Sequence, residues 1–589
     1  MGAGTLIVRG STASIGVASA SAPALTIGGT ANGSLLIDNG AIVKNITAKL
    51  GGNAGTLGAV TVDGANSRWN FSATTGTALS LTAGTSGSLT VSNGGAVTFT
   101  TRSAAFAPTT GQTADFVVTG ANSTFTTPSA LTLGGAGTTT VMISADGKVT
   151  STTAAIGTTT VGGARATDIT VTGAGSSWIT SPSSILGMDG NSTLNIVDGG
   201  TFTTGSNFAV GNSADAVCTI NVGGNGATLN AGTAAMALGV SGSTAILNLS
   251  AGGTVNARHI LRLGQGAATS HAVVNQTGGI MNISQYLYID AGTPEYHLLG
   301  GTLMVGDASS AGISIVAPTS YIFELGGGTL QAKGSQLTSY ANATLRAGTV
   351  STLSTPTAAT QIMYWEGSLS GTGGLLKTGS GSLFLDAANN PFSGRLTIEQ
   401  GTVNPVTAAS LGTSGLIFSG NSTLQITKGS IAPGNDVAIN MGITATMDVA
   451  SGNTLTLSGA VTGAGGLAKT STGTLVLSGT NNYSGATRVS AGTLQFAKTA
   501  SLYNGATASW TAANLTVASG ATAAFNVGGA GEFTAGNLDI VKGLGTATGG
   551  FLGGSVLGLD TSNAGGNFTY GGIIANTSVR AAFRSMAAP

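Results

Sequence analysis

The sequence predicts an all-β fold, a single long parallel β-helix (β-solenoid), from three observations. Glycine accounts for 97 of the 589 residues, while charged residues make up only 7%. A glycine turn recurs about every 26 residues, and short runs of alternating apolar and polar residues lie between the turns. Apolar residues still form 41% of the chain, so it can bury a core and disorder is not expected.

The glycine turns form a regular ladder through the first half of the chain. Each turn is followed by a β-branched or aromatic residue, as in NGGAVTF and DGGTF, and successive turns are 22 to 31 residues apart. The ladder glycines are Gly40, Gly64, Gly95, Gly120, Gly147, Gly173, Gly200, Gly226, Gly253, Gly279, Gly301 and Gly328. Such even spacing indicates a structural period.

The segments between the turns have the pattern of β-strands. Runs such as GSLTVS, STLNIV and TAILNLS alternate apolar residues with Ser, Thr or Asn, and helical periodicity is nearly absent. Each unit is therefore predicted to be one coil, which buries its apolar face by stacking on its neighbours. Adjacent coils lie about 4.8 Å apart, so stacked like charges would repel, whereas Ser, Thr and Asn can hydrogen bond from coil to coil.

The period divides the chain into three parts. Residues 1–350 are predicted as coils of about 26 residues, and residues 351–500 as a continuation of the solenoid with a second repeat type. Residues 501–589 are predicted to hold the terminal coils and a C-terminal cap or docking tail. Within that tail, residues 578–588 are expected to form one or two helical turns, with Val579, Ala582, Phe583 and Met586 on one face.

Composition excludes several classes of partner. Twenty basic and twenty acidic residues give no net charge, so neither a nucleic-acid-binding face nor membrane insertion is predicted. The single cysteine, Cys218, excludes an internal disulfide, and its apolar surroundings predict a small buried residue. No secretory signal is visible at the N-terminus and no translocating segment at the C-terminus.

Candidate reactive residues are few, and each has a structural interpretation. Glu295 and His297 should share one face of a strand, but with only Asp290 nearby they predict a polar patch rather than a metal site. His259 and His271 have no ligand-like neighbours. No catalytic, cofactor-binding or metal-binding residue is therefore predicted, and no cofactor.

An enzyme remains the main alternative, because many parallel β-helices degrade polysaccharides. Asp189, Asp198 and Asp215 are the densest acidic group, although Asp198 and Asp63 lie in VDG turns that aspartate favours anyway. The glycines of GAGGLAKT lack the order of a phosphate-binding loop and predict a turn.

Neither the aromatic residues nor the threonines of the ladder predict a binding surface. The aromatic residues Trp69, Phe125 and Trp178 each follow a ladder glycine by five residues on alternate coils, which predicts a packing feature rather than a ligand-binding track. Threonine is abundant but is not expected to recur at one ladder position, which argues against an ice-binding or crystal-binding face.

Two phrases in the second half identify a family resemblance. Gly367–Val403 and Gly459–Leu494 share the opening G-x-G-G-L-x-K-x-G-x-G-x-L-x-L, an N-x-[YF]-S-G turn and a closing G-T-L/V. They resemble the autotransporter-associated β-strand repeat. The first copy departs from the pattern at Pro391, and the second at Ser471–Thr472.

The first half carries a related resemblance. The phrases VTVDGANSRW and GSLTVSNGGAVTF are similar to repeats of type V secretion passengers and of surface proteins with PEP-CTERM sorting signals. Together the resemblances cover most of residues 30–500. They imply a passenger-like, right-handed parallel β-helix exported to the bacterial cell surface or beyond.

The sequence thus predicts a non-catalytic structural protein of the cell surface or extracellular matrix. As a rigid solenoid rod it is expected to assemble end to end into filaments, with itself or neighbouring cell-surface components as partners. Two alternatives stay open. One is a monomeric adhesin or stalk passenger that binds a host molecule or glycan, and the other is a polysaccharide-degrading β-helix enzyme.

Overall fold

Successive coils of the chain add strands to parallel sheets. A computed structural model describes residues 4–16, 25–81, 84–157, 167–214, 216–306, 312–572 and 582–586. The chain divides into two compact units, Met1–Glu324 (unit 1) and Leu325–Pro589 (unit 2). In each unit the strands pair in parallel, one coil on the next, so the predicted β-solenoid is confirmed. The predicted three-part division at residues 350 and 500 stays a prediction.

Unit 1 has three sheets, and most of its coils contribute one strand to each. Sheet 1 contains Gly4–Arg9, Gly33–Asp38, Leu57–Asp63, Ser86–Ser92, Thr113–Thr119, Thr138–Ser144, Thr167–Thr172, Ser192–Val197, Val217–Gly223 and Thr244–Leu249. Sheet 2 contains Ser14–Gly16, Ile42–Asn45, Arg68–Phe71, Ala96–Phe99, Thr124–Thr126, Lys148–Ser151, Ser177–Thr180, Thr201–Thr204, Thr228–Ala231 and Thr254–Ala257. Sheet 3 contains Leu25–Ile27, Ala48–Leu50, Leu79–Leu81, Ala104–Phe106, Ala130–Leu133, Thr153–Ile156, Ser184–Leu186, Phe208–Val210, Ala235–Val240, Ile260–Gln265, Tyr286–Ile289 and Gly312–Ile315. The long strands His271–Ile283 and Glu295–Val305 run through both sheets 1 and 2, and Ile322–Leu325 contains the unit boundary.

Unit 2 also has three principal sheets, with shorter coils in its repeats. Sheet 4 contains Thr329–Ala332, Val350–Ser354, Gly374–Thr378, Leu396–Ile398, Leu416–Phe418, Val437–Ile439 and Val461–Gly463, with the paired strands Ala343–Leu345 and Leu369–Gly371 beside it. Sheet 5 contains Gln336–Ser339, Ile362–Trp365, Ser382–Leu385, Gly401–Pro405, Ser422–Ile426, Thr444–Val449, Gly466–Thr470, Thr487–Val489, Leu515–Val517 and Gly550–Phe551. Sheet 6 contains Thr454–Leu457, Thr474–Leu477, Thr493–Phe496, Thr522–Asn526, Val556–Asp560 and Ala582–Met586.

Helices occupy little of the described chain. The α-helix Ala535–Lys542, which the sequence analysis missed, begins after Thr534, whose hydroxyl accepts a hydrogen bond from the Asn537 N–H. Four short 3₁₀ helices are Ala408–Leu411, Thr499–Ser501, Tyr503–Gly505 and Thr507–Ser509. None of the helices in the described part of the chain has the length and apolar character that a membrane span requires.

The predicted C-terminal helical turns were wrong. Ala582–Met586 is a strand that pairs in parallel with Val556–Asp560. The edge of sheet 6 offers unpaired backbone N–H and C=O groups, and an added strand satisfies them where an isolated helical turn could not. Val579, the first residue of the predicted apolar face, lies outside the described residues.

The predicted glycine turns are confirmed from Gly40 to Gly253, whereas Gly279 and Gly301 lie inside the long strands His271–Ile283 and Glu295–Val305, where the chain continues from sheet 1 into sheet 2 without a separate turn. From Gly40 to Gly253, each ladder glycine lies in the turn between a strand of sheet 1 and a strand of sheet 2. At Gly200 a Cβ would overlap the carbonyl oxygen of Val171 in the preceding coil. The coils approach so closely at this corner that only glycine fits there.

The aromatic residues of alternate coils pack inside unit 1, as predicted. In sheet 2, Val97 pairs with Trp69 in one neighbouring coil and with Phe125 in the next. Trp69, Phe125 and Trp178 are fully buried, so they form part of the core. Cys218 is also buried, and burial raises the pKa of its thiol to about 12.

The predicted hydrogen bonding from coil to coil occurs on the outer face of sheet 1. Asn221, Asn248 and Asn275 each donate from Nδ2 to the Oδ1 of the asparagine one coil earlier, at 2.8, 2.8 and 3.0 Å. The row starts at Asn195, and we call it the asparagine row. It ties four coils together without any charge.

Candidate functional site

The predicted His297 patch is an ion-pair cluster. Its Nε2 lies 2.9 Å from Oε2 of Glu295, and its Nδ1 lies 2.8 Å from Oε2 of Glu324. Burial lowers the pKa of His297, but the hydrogen bonds that the ring donates to the two carboxylates, together with their charges, outweigh burial, and the pKa is raised overall. Because the two ring nitrogens face different carboxylates, the groups do not converge on one point.

The other residues weighed for a metal site lie apart from His297. Asp290 instead pairs with Arg262 at 2.6 Å. His259 and His271 each hydrogen bond to a backbone carbonyl, of Ala234 and Thr293 respectively. In the described ranges, no group of three or more His, Cys, Asp or Glu side chains could hold a metal ion.

The acidic residues considered for catalysis are not brought together. Asp189 precedes the strand Ser192–Val197 and Asp198 follows it, so roughly 20 Å of extended chain separates them. Asp215 lies outside the described residues. Asp63 accepts hydrogen bonds from Ser92 and Asn93 of the next coil, which gives it a structural role.

The expectation that threonine does not recur at one ladder position was wrong for sheet 2. Thr201, Thr228 and Thr254 stack at one register position in three successive coils. Ser177 precedes them and Ile280 follows them in the same row, so the run is three threonines long.

The lysines of the two G-G-L-x-K phrases point into the solenoid, which the sequence analysis missed. Lys377 and Lys469 are fully buried. Lys377 Nζ donates to the carbonyl oxygens of Thr378 and Gly379 at 2.7 Å and of Gln400 at 3.1 Å. Lys469 Nζ donates in the same way to Thr470, Ser471 and Ala491, at 2.5, 2.7 and 3.4 Å. In each case the third carbonyl belongs to the next coil.

Burial shifts the pKa of both lysines downward. The pKa of Lys377 falls to about 7, and that of Lys469 to about 8, where the charge of Asp448 partly opposes the effect of burial. Three carbonyl oxygens match the three N–H groups of an ammonium ion, so each lysine donates to backbone carbonyls of its own coil and of the next. The lysine of GAGGLAKT thus lies in the strand Gly466–Thr470, and the predicted turn is confined to Ala464 and Gly465, which precede that strand.

The asparagines of the N-x-[YF]-S-G turns form a second pair of internal ties, by which we mean buried side chains that hydrogen bond to the backbone of neighbouring coils. Asn390 accepts a hydrogen bond from the Leu369 N–H of the preceding coil at 2.8 Å and donates to Ser410 O of the following coil at 2.9 Å. Asn481 makes the equivalent bonds with Val461 and Ser501, at 2.8 and 2.9 Å. Both asparagines are fully buried, so each one joins three coils.

The departures from the repeat pattern have simple structural consequences. In the second copy Ser471 replaces the glycine that stands at 379 in the first copy, and both residues have a positive φ, of 56° and 77°. Serine is strained in this left-handed conformation, whereas glycine is not. At Pro391 the preceding Asn390 keeps its full set of hydrogen bonds, so the proline leaves the tie intact.

The outer face of sheet 5 carries two rows of side chains. The first, which we call the hydroxyl row, consists of Ser382, Thr402, Thr423 and Thr446 in register on four coils. The second, which we call the mixed row, consists of Tyr364, Phe384, Asn404, Gln425 and Asp448 on five coils. Every member is half-buried except Asn404, which is buried.

Unit 1 has a smaller aromatic cluster on sheet 3. Tyr286 and Tyr288 stack with their ring centroids 5.3 Å apart, and Arg262 lies 4.8 Å from the centroid of the Tyr288 ring. Arg262 also pairs with Asp290, so the cluster satisfies much of its own charge.

Comparison with known proteins agrees with this architecture. The family model of the passenger-associated-transport-repeat matches residues 375–404 and 467–496, the segments that contain the buried lysines and asparagines. The chain is also 32% identical over 219 residues to the adhesin BmaC autotransporter of Brucella suis biovar 1 (strain 1330), a match that covers 33% of this chain and 6% of that protein. The chain therefore spans a small part of its relative.

These findings confirm the predicted family resemblance and localisation. The matched repeats are the two phrases that the sequence pattern singled out, and a protein with such repeats belongs outside the cell or at the bacterial cell surface. The chain is a β-solenoid that contains two segments matching the passenger-associated-transport-repeat and resembles an autotransporter passenger.

Proposed function

We propose that this chain is a non-catalytic β-solenoid segment of a surface adhesin. The observation that carries the proposal is the inward orientation of the polar side chains in the repeats. Lys377, Lys469, Asn390 and Asn481 all bind backbone groups of neighbouring coils instead of forming a reactive cluster. The repeats therefore serve to build stable coils, and the resemblance to an autotransporter adhesin supports adhesion as their use.

Surface display tests this proposal. The full chain is displayed on a non-adherent bacterium, and attachment to epithelial cells is counted against a strain that displays an unrelated β-solenoid at equal density. We expect attachment to increase with the density of the displayed chain. Attachment equal to that of the control strain would contradict an adhesive role.

The polysaccharide-degrading alternative makes a separate prediction. Because Asp189 and Asp198 lie at opposite ends of one strand, no carboxylate pair spans a glycosidic bond there. We expect the purified chain to release no reducing ends from plant or bacterial polysaccharides. Release that is lost in Asp189→Asn or Asp198→Asn would support the enzyme and overturn the proposal.

End-to-end assembly is a finer proposal about the same segment. Gly4–Arg9 pairs along one edge with Gly33–Asp38, and among the described residues no strand lies on its other edge. In the isolated chain this edge could receive a strand from a second copy, and in a longer protein a preceding coil could take that place. Negative-stain microscopy over a concentration series should show unbranched fibres, whereas separate particles at every concentration would contradict self-assembly.

A further inference from the structure

We propose that the outer face of sheet 5 binds a neutral linear polysaccharide that lies along the two rows, across the coils. The inference deepens the proposed adhesive function and rests on it for its biological meaning. It is carried by the chemistry of the hydroxyl row and the mixed row.

The hydroxyl row supplies unused hydrogen-bonding groups. The side chains of Ser382, Thr402, Thr423 and Thr446 hydrogen bond to no other residue in the described part of the chain. They contrast with the asparagine row of unit 1, in which each amide is bonded to the next. Four free hydroxyls in a line, each able to donate and accept, match the repeated hydroxyls of a sugar polymer.

The spacing of the rows suits such a polymer. Neighbouring members lie one coil apart, which is about 4.8 Å. A pyranose unit in an extended β-linked polysaccharide has nearly the same axial length. Each sugar along the hydroxyl row would therefore meet an equivalent hydroxyl group.

The mixed row supplies an apolar contact at one end and directed polar groups at the other. The rings of Tyr364 and Phe384 lie on adjacent coils with their centroids 5.0 Å apart. Aromatic faces pack well against the C–H faces of sugars, because both are apolar surfaces edged by polar groups. We therefore place the first sugars over these rings.

The amides beyond the rings are already oriented. Asn404 donates to Gln425 at 3.3 Å, and Gln425 donates to Oδ2 of Asp448 at 2.9 Å. The other carboxylate oxygen of Asp448, Oδ1, is buried and has no protein hydrogen-bond partner. Because Oδ1 is buried, it is not a contact for a sugar on the outer face. The half-buried Gln425 is held in a fixed orientation by its bonds to Asn404 and Asp448, so it is preorganised to bind a sugar hydroxyl.

Charge selects among glycans. Glu366, Asp386 and Asp448 lie on or beside the mixed row, and each is acidic. A sulfated or uronic-acid polymer would be repelled by these carboxylates, and so would the phosphates of a nucleic acid. A neutral polysaccharide meets no such penalty.

The test uses the purified full chain and defined oligosaccharides. Neutral β-1,4-linked and β-1,3-linked oligomers of two to eight sugars are compared with sulfated oligomers of equal length by calorimetric titration. We expect binding of a neutral oligomer that strengthens with length up to about four sugars, because four hydroxyls are in line. Failure to bind any neutral oligomer, or preference for the sulfated series, would overturn the proposal.

Variants locate the binding to this face. Tyr364→Ala should weaken binding about tenfold, and Thr402→Val or Thr423→Val about three- to tenfold, because each removes one contact without burying a new polar group. Thr228→Val on sheet 2 of unit 1 is the matched control and should leave affinity unchanged. Equal affinity in all four variants would place the site elsewhere and overturn the proposal.

Combining this titration with the display experiment separates two kinds of failure. Cells that attach while the purified chain ignores all neutral oligomers would leave the adhesive function standing and end the polysaccharide proposal. Oligomer binding without attachment would support the polysaccharide-binding face but contradict its adhesive use.

Discussion

Units 1 and 2 are built from the same parallel coils but hold them together in different ways. In unit 1 the asparagine row ties coils together on the outer face, and the interior is filled largely by apolar and aromatic side chains with a few buried hydrogen bonds, such as that of Tyr296 to Gln276. In unit 2 the repeats place a lysine and an asparagine inside, where they bond to backbone groups of adjacent coils. The comparison shows that the polar residues of a repeat phrase can serve to join neighbouring coils from the inside.

Both units also carry polar rows on their outer faces. The amides of the asparagine row in unit 1 are bonded to one another. Unit 2 joins Asn404, Gln425 and Asp448 on sheet 5 but keeps the four unpaired hydroxyls of the hydroxyl row beside them.

Loss of a buried lysine should have the largest effect. Lys377→Met keeps the length of the side chain but removes the donor of the Gly379 and Gln400 carbonyls and leaves Thr378 O bonded to Thr355 alone. We therefore expect unit 2 to lose about 3–5 kcal/mol of stability. Lys428→Met, at an exposed lysine, is the matched control and should change stability by less than about 0.5 kcal/mol. Urea unfolding of the full chain measures both. A neutral or stabilising Lys377→Met would mean that burying the ammonium costs more than its three hydrogen bonds return.

Removal of a buried asparagine should cause the second-largest loss of stability. Asn390→Ala leaves the Leu369 N–H and the Ser410 carbonyl unpaired and opens a small cavity, so a loss of about 2–4 kcal/mol is expected. The neighbouring Asn389 is exposed, and Asn389→Ala should have little effect. If thermal unfolding shows equal losses in the two variants, the internal tie is not the source of stability.

Removing a member of the asparagine row, on the outer face, should cost less stability. Asn221→Ala in unit 1 removes two hydrogen bonds that are partly open to water, and we expect a loss of about 1 kcal/mol. Hydrogen exchange in Val217–Gly223 should report this change. A loss as large as that of Asn390→Ala would remove the distinction between inner and outer ties.

Replacing the strained Ser471 should give a small gain in stability. Ser471→Gly relieves the left-handed conformation of Ser471 and should stabilise unit 2 by about 1 kcal/mol or less. The matched change in the opposite direction, Gly379→Ser, should destabilise, because a Cβ there would overlap the backbone of Thr355. Calorimetry that shows destabilisation by Ser471→Gly would contradict the strain argument.

The two units should respond to pH in opposite directions. The pKa of His297 is raised in the folded state, so its contribution is present below the unfolded value of 6.5 and is lost as pH rises through the folded pKa. The pKa values of Lys377 and Lys469, about 7 and about 8, lie below the unfolded 10.5, so the unfolded chain binds more protons and unit 2 gains stability as pH rises from about 7 to 10.5.

Unfolding followed by hydrogen exchange from pH 5 to 10 resolves the two trends. His297→Gln should remove the dependence in unit 1, and Lys377→Met together with Lys469→Met should remove it in unit 2. A dependence that survives these substitutions would assign it to other groups.

The sequence predicted the coil period, the sheet alternation and the corner glycines, because each repeats locally and needs no knowledge of distant contacts. It also contained an unused signal for the buried lysines. Lys377 lies two residues after Leu375 and Lys469 two after Leu467, so each shares the inward face of its strand with a core leucine.

The remaining features depend on which coils stack in register. The pairing of Thr402 with Thr423, or of Glu324 with His297, joins residues more than twenty positions apart. The strand Ala582–Met586 likewise depends on the open edge of Val556–Asp560, which no local sequence pattern predicts. The short helix Ala535–Lys542 lay in a segment without a clear apolar period.

Hydrogen exchange of Lys469→Met beside wild type is the most direct test of whether the repeat phrase is an internal tie. Since Lys469 bonds to Ala491 of the next coil, we expect protection to fall in Gly466–Thr470 and Thr493–Phe496 while unit 1 stays unchanged. Undiminished protection in those two strands would show that the buried lysine does not hold the coils together, and its place in the repeat would then need a different, chemical explanation.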